Sequence, residues 1–225
     1  MASEIQFEKK AKWILAINDS LIMIRRSTTH IVRNTDQLLG AFFQPIMFLV
    51  LFSAVFGGAI SLSLPEGVTY LSFLMAGIIV QTVAFGSTTT ALAITNDLQK
   101  GIVDRFRSLP MSNLAVLNGH VVSDLFRNTI STVVMLLAGL VLGFRSSASL
   151  IDWIAITGIL VLFTLAFSWL MAIMGVLAKS VEGVQWMSFI IIFPLTFASS
   201  AFVPTDGMNK YLKAFAENQP ISQVI

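Results

Sequence analysis

The chain has 225 residues, 56% hydrophobic and only 12% charged, with a formal net charge of +2 and a mean hydropathy of +0.82. Soluble domains carry about 25% charged residues, so this composition excludes a soluble globular protein. The small net charge gives no footing for a nucleic-acid partner.

Cysteine is absent, which removes disulfides, thiolate metal sites and a cysteine nucleophile from consideration. His30 and His120 are far apart in sequence and read as lone polar residues, so no metal site is expected. Eighteen Phe against two Tyr suit a lipid-facing, bundle-packing chain.

Residues 1–37 do not form a signal peptide, because their apolar pieces are short and interrupted by Asn18 and Asp19. Trp13, Ile14, Ile17, Leu21 and Ile24 fall on one helical face, flanked by Lys9, Lys10, Lys12, Arg25 and Arg26. The pattern predicts a basic amphipathic helix lying in the cytoplasmic interface, or a helix packing on a partner.

A membrane-spanning helix needs roughly 20 apolar residues. Five segments qualify, at 38–60, 71–95, 121–144, 153–178 and 184–202. The predicted fold is therefore an all-α integral membrane protein with a transmembrane domain over 38–202. Pro45 falls inside the first span, where neighbouring helices or water can satisfy the carbonyl it frees. Residues 203–225 follow as an outer segment in which Met208, Leu212 and Phe215 share one face. The chain then stops on Val224-Ile225, from which a further apolar helix is expected to be missing.

The segment 96–112 hangs between the second and third spans and carries five of the 26 charged residues. Leu98, Ile102, Phe106 and Leu109 keep helical spacing, and Pro110 would end the helix. The pattern fits a cytoplasmic docking element or an ordinary solvated loop. Placing the N-terminus inside puts eleven Lys and Arg on the inner side and three, Arg145, Lys210 and Lys213, on the outer side. That bias makes 96–112 cytoplasmic.

No Gly-x-x-x-x-Gly-Lys-Ser/Thr phosphate cradle occurs, so ATP hydrolysis is not expected of this chain. Asp124 falls in the first turns of the third span, three residues before Arg127. An i,i+3 ion pair at the membrane boundary accounts for both. The remaining interior polar residues are neutral, among them Gln44, Gln81, Ser87, Thr88, Ser168 and Ser188. The membrane part is then passive and is driven from outside or acts as a facilitator. Gln44 and Gln81 fit either a substrate path or interhelical hydrogen bonds. Gly139-Leu-Val-Leu-Gly143 is a weak small-residue packing motif.

Two segments carry a resemblance. Asp97-Leu-Gln-Lys-Gly-Ile-Val-Asp-Arg-Phe-Arg-Ser-Leu-Pro-Met-Ser112 is similar to the segment between spans two and three of type-2 ABC exporter permeases. Phe215-Ala-Glu-Asn-Gln-Pro-Ile-Ser222 is similar to the segment before their last span, and Phe202-Val203-Pro204 adds to the likeness. Over nearly its whole length the chain resembles daunorubicin/doxorubicin-resistance permeases. It departs in showing five spans where the family has six, and in Asp97 and Ile102 where many members have Glu and Thr.

The resemblance implies a plasma (inner) membrane homodimer with a cytoplasmic N-terminus. Two copies of a separate ABC ATPase would carry ATP and Mg. Asp97, Lys100, Gly101, Asp104, Arg105, Arg107 and Pro110 would couple to that ATPase, with Gly101 allowing close approach. Gln44, Phe48, Gln81, Phe85, Thr88, Phe189 and Phe193 would line a substrate pathway near spans one, two and five. Pro204, Leu212, Phe215 and Pro220 would form an extracellular gate. The implied cargo is a hydrophobic or amphiphilic compound such as a drug, antibiotic or lipid. A polysaccharide or glycolipid exporter shares the architecture, and a non-transporting scaffold is the alternative from another class.

Overall fold

The structure, a computed structural model, describes residues 17–29, 31, 33–60, 64, 68–108, 112, 114–146 and 148–225. Among them, regular structure is helical throughout. Residues 17–29 form α1. Then follow α2 (Thr35–Ile60), α3 (Tyr70–Gly86), α4 (Thr88–Gln99), α5 (Ile102–Arg107), α6 (Ala115–Val141), α7 (Leu150–Leu177) and α8 (Val181–Phe197). A 3-10 turn (Thr205–Gly207) leads to the short helices α9 (Lys210–Asn218) and α10 (Pro220–Val224). Trp13 and Ile14 lie outside the described residues.

Four stretches are long and apolar enough to cross a membrane: Leu39–Ile60, Tyr70–Gln99, Ala115–Val141 and Leu150–Leu177. A fifth, α8, is apolar but has 17 residues, about 25 Å of helix. The predicted fifth span, 184–202, overran because apolar residues continue past Ala198, which caps α8 through its N–H to the Pro194 carbonyl. The third span begins at Ala115, not at 121, because Asn118 and His120 lower hydropathy without breaking the helix.

Local sequence sets the helix ends. Ser149 and Asp152 form a capping box at the start of α7, and Ser180 accepts the Gly183 N–H at the start of α8. Gly101 turns α4 into α5 with φ +65°, a left-handed conformation that costs other residues about 1–2 kcal/mol. The run Gly86-Ser-Thr-Thr-Thr90 interrupts the second span, so that α3 and α4 meet at Ser87. The Thr90 N–H bonds the Ser87 carbonyl at 3.1 Å instead of reaching back four residues. That releases the Gly86 carbonyl, which accepts from Thr89 Oγ1 at 3.0 Å and from Arg127 of α6. Hydroxyl side chains compete with the helical ladder in this way.

Two apolar clusters build the core. Val80, Val83 and Ala91 of the second span pack on Phe163, Phe167 and Met171 of α7, Ile192 of α8 and Ile221 of α10. The segment after α8 thus dips back into the bundle. Leu49, Tyr70, Leu74, Ile78, Met135 and Phe202 join α2, α3, α6 and the turn after α8, and the Tyr70 hydroxyl donates to the Phe202 carbonyl at 3.1 Å. Thr95 Oγ1 reaches the Gly175 carbonyl at 2.8 Å, tying α4 to α7. Large apolar side chains cover the outside, including Phe43 on α2, Ile151 and Leu162 on α7 and Ile190 on α8.

A Cβ at Gly86 would collide with the Asn128 side chain and crowd Arg127, whereas one at Gly158 would meet nothing within 4 Å. Gly86→Ala is expected to destabilise the protein by about 1–3 kcal/mol through overpacking. Gly158→Ala should be neutral or gain up to about 1 kcal/mol. Thermal unfolding of both variants in the same detergent checks the pair.

Candidate functional site: a coupling junction and a polar cavity

Three helices converge where the second span leaves the bundle. Asp97, near the end of α4, is buried. Its carboxylate accepts from Arg26 of α1 at 3.1 and 3.4 Å and faces His120 Nε2 of α6 at 3.1 Å. The Arg26 guanidinium also sits 5.5 Å from the ring centroid of Phe106 on α5, within cation–π range. One arginine therefore ties α1 to both α4 and α5.

α1 uses two faces. Met23 and Ser27 are buried, the Met23 side chain stands close to Gly119 of α6, and Ser123 donates to the Ile24 carbonyl at 3.3 Å. Of the predicted apolar stripe, Ile17 and Leu21 are exposed. The helix therefore docks on α6 through the face that carries Met23 and leaves Ile17 and Leu21 outward.

The coupling residues separate accordingly. Asp97 is engaged inside the chain by Arg26 and His120. Lys100, Asp104 and Arg105 are exposed. Gly101 stands in open space, nothing lying within 4 Å of a Cβ built there. The Arg107 side chain and Pro110 fall outside the described residues.

Deeper in the bundle, the acid and base of α6 sit together. Asp124 and Arg127 are 2% and 3% exposed and form the i,i+3 ion pair. Asp124 also accepts from Ser168 of α7, and Arg127 donates to the Gly86 carbonyl. α6 starts nine residues before Asp124, placing that carboxylate about 14 Å along the helix, about two and a half turns in. The predicted i,i+3 pair is thus present, and it is buried against α3 and α7.

Beside it, α2, α3, α6 and the start of α4 border a half-open cavity of about 170 Å³. Gln44, Phe48, Gln81 and Phe85, all predicted for a substrate pathway, line it together with Arg127, Asn128 and Ser131. The other three predicted pathway residues are not among its lining residues. Thr88 sits at the start of α4. Phe189 and Phe193 are partly exposed on α8 and belong to an aromatic ladder. Ring centroids are 4.9 Å apart for Phe189–Phe193, 4.4 Å for Phe193–Phe197, 5.1 Å for Phe197–Phe202, 4.7 Å for Phe202–Phe52 and 5.9 Å for Phe52–Phe48. The ladder runs from the outside of α8 to the cavity wall.

In the segment after α8, Pro204 precedes the 3-10 turn, Leu212 and Phe215 are partly exposed on α9, and Pro220 starts α10. These four predicted gate residues occupy one continuous turn–helix–helix unit. α10 is held by Ser222, whose Oγ accepts the Ser200 N–H at 3.0 Å.

Reasoning from sequence missed Arg26, His120, Arg127, Asn128 and Ser131. A signal was present, because His120, Asp124, Arg127 and Ser131 recur at three- and four-residue spacing along α6. A polar stripe on a membrane helix faces the bundle interior.

This arrangement is that of a polytopic membrane protein: an apolar-skinned bundle with a polar interior and a charged loop segment buttressed by an accessory helix. Residues 19–225 match the ABC-2 type transporter family, and the chain belongs to that family. It is 33% identical over 186 residues to the daunorubicin resistance ABC transporter permease protein DrrB1 of Streptomyces coeruleorubidus, covering 83% of this chain and 65% of the relative. It is 29% identical over 219 residues to a probable doxorubicin resistance ABC transporter permease protein, DrrC, of Mycobacterium tuberculosis, covering 94% and 75%. A putative transport permease, ycf38, of Cyanophora paradoxa is 27% identical over 213 residues, covering 93% and 72%. The chain thus spans slightly under two thirds of the length of the first of these relatives.

The buried pair makes a sharp expectation. Asp124→Leu leaves Arg127 charged and alone in the bundle and should cost about 3–5 kcal/mol. Asp124→Leu combined with Arg127→Met removes both charges and should recover most of that loss. Thermal unfolding of the single and double variants in detergent measures the difference.

Proposed function

We propose that this chain is the permease subunit of an ATP-driven ABC exporter that moves hydrophobic or amphiphilic compounds, such as a drug, antibiotic or lipid, out of the cytoplasm or inner leaflet. Two copies would form the pathway in the plasma (inner) membrane, with the N-terminus cytoplasmic as the eleven-to-three distribution of Lys and Arg favours. Two copies of a cytoplasmic ABC ATPase would bind ATP and Mg and dock below. Family membership supports an ATPase partner, and the resistance relatives support the cargo class.

The observation that carries the reading is the junction at the α4–α5 turn. Lys100 and Arg105 are exposed, while Asp97, Arg26, His120 and Phe106 fasten the same segment to α1, α4 and α6. A docking element must be accessible on one side and rigidly fixed on the other, or movement of the partner would dissipate in a loose loop. ATP-dependent displacement of α5 would then be transmitted along α4 into the bundle. The apolar, aromatic and neutral polar lining from Phe189 to Gln81 suits an amphiphile.

The test is mild-detergent purification of the chain from its native membrane, with quantification of co-purifying proteins. The expected partner is a nucleotide-binding ATPase at one-to-one stoichiometry. Lys100→Glu with Arg105→Glu should lower its recovery at least tenfold while thermal stability of the permease stays within about 0.5 kcal/mol, as for surface substitutions. Unchanged ATPase recovery and unchanged ATP-dependent export by the double variant would remove 96–112 from the coupling role.

A further inference from the structure

The cavity between α2, α3 and α6 holds more hydrogen-bonding capacity than the chain itself uses. Gln81 Oε1, Arg127 Nε and Asn128 Nδ2 are buried with no partner, and all three residues line the cavity and are 4% exposed or less. Two donor atoms of α6 and one acceptor of α3 thus border one opening.

The remaining wall is apolar, with Phe48, Phe85 and the Pro45 ring. The charge of Arg127 is matched by Asp124, so the site as a whole is neutral. An anion or cation would enter without a counter-charge. Purely apolar cargo would leave these three polar groups unsatisfied in a region where lipid offers nothing in exchange. The volume, about 170 Å³, is close to that of a cavity of about 150 Å³ known to take benzene. One six-membered ring fits.

We propose that this cavity is a binding subsite for a neutral ring bearing a hydroxyl or carbonyl group, presented by an amphiphilic cargo or a ring-headed lipid. The hydroxyl accepts from Arg127 Nε or Asn128 Nδ2 and donates to Gln81 Oε1. The ring stacks against Phe48 and Phe85. The subsite gives the proposed exporter a way to select a polar head within an otherwise apolar path, and in that role it rests on the exporter reading.

The experiment is fluorine NMR titration of the purified permease, with whatever partner co-purifies, using 4-fluorophenol and 4-fluorotoluene as matched probes. Both partition into detergent, so each is referred to its own value with the wild type. The expected result is saturable 4-fluorophenol binding about tenfold tighter than 4-fluorotoluene, as one satisfied buried polar group provides. Gln81→Leu should bring the two probes within about threefold by weakening the phenol alone. Ala41→Trp, at a half-buried position of the cavity wall, should displace both probes and serves where Gln81→Leu does not fold.

No saturable binding by the wild type means that water alone fills the cavity and overturns the proposal. So does an unchanged phenol preference in Gln81→Leu, or phenol binding that persists in Ala41→Trp. Failure with an ATPase still co-purifying removes only the subsite. Binding as expected without an ATPase leaves the subsite standing and removes the exporter reading.

Discussion

Hydrocarbon offers no hydrogen bonds, so a charge placed inside a membrane bundle must be matched there by the chain itself. Asp124 and Arg127 impose that condition on this fold. Asp124 takes Arg127 on one oxygen and Ser168 on the other, which joins α6 to α7. Arg127 has a further donor, and it is met by the Gly86 carbonyl, which a continuous helix would have spent on Thr90. The break between α3 and α4, the hydroxyl-rich run after Gly86 and the absence of a side chain at Gly86 are three parts of one solution. They bring a second-span carbonyl to a third-span guanidinium.

α4 connects this buried pair to the junction at the other end. It has 12 residues, about 18 Å of helix, with the Gly86 carbonyl just before its start and Asp97 near its finish. Its flank is fastened to α7 through Thr95 and the Gly175 carbonyl. A short helix fixed at both ends and along one side moves as a body. On the proposed coupling role, displacement of α5 would reach the Ser87 break, where one helical hydrogen bond is already exchanged for side-chain partners and the cost of bending is low. The cavity containing Gln81 and Arg127 adjoins that break, so its geometry would be the first to change.

Much of this was legible in the sequence. Hydropathy found the four long apolar helices among the described residues, because apolar length is what the bilayer selects. The charged segment stood out between Thr95 and Val121 by contrast with its surroundings. Span ends were less legible, since Asn118 and His120 are polar for tertiary reasons and hydropathy counts them as boundary residues. The break at Ser87 follows from hydroxyl competition and from Arg127 together, and the second of these is 40 residues away in sequence. Asp97 read as a surface acid because its partners, Arg26 and His120, come from two other helices. Gln44, Phe48, Gln81 and Phe85 were grouped as interior polar and aromatic residues, and they share a cavity. Phe189 and Phe193 carry the same composition but sit on the outside of α8, since composition does not record which face of a helix is buried.

The charge pairing also bears on where the energy for transport enters. Ion-coupled transport needs an acid that can lose and regain its charge along the path. The two buried acids among the described residues are Asp97 and Asp124, and each is held by a basic partner. Removing the charge of Asp124 would strand Arg127 inside the bundle, at a cost that breaking a buried pair sets at about 3–5 kcal/mol. Asp97 is bound to Arg26, whose guanidinium is also occupied with Phe106, so its discharge would loosen α1 from α4. Neither acid is placed to cycle without dismantling the element it supports. Both instead stiffen the connection between the α4–α5 turn and the polar cavity. The proposed exporter would then receive its mechanical work from outside the membrane, and these fixed pairs would carry it toward Gln81, Arg127 and Asn128.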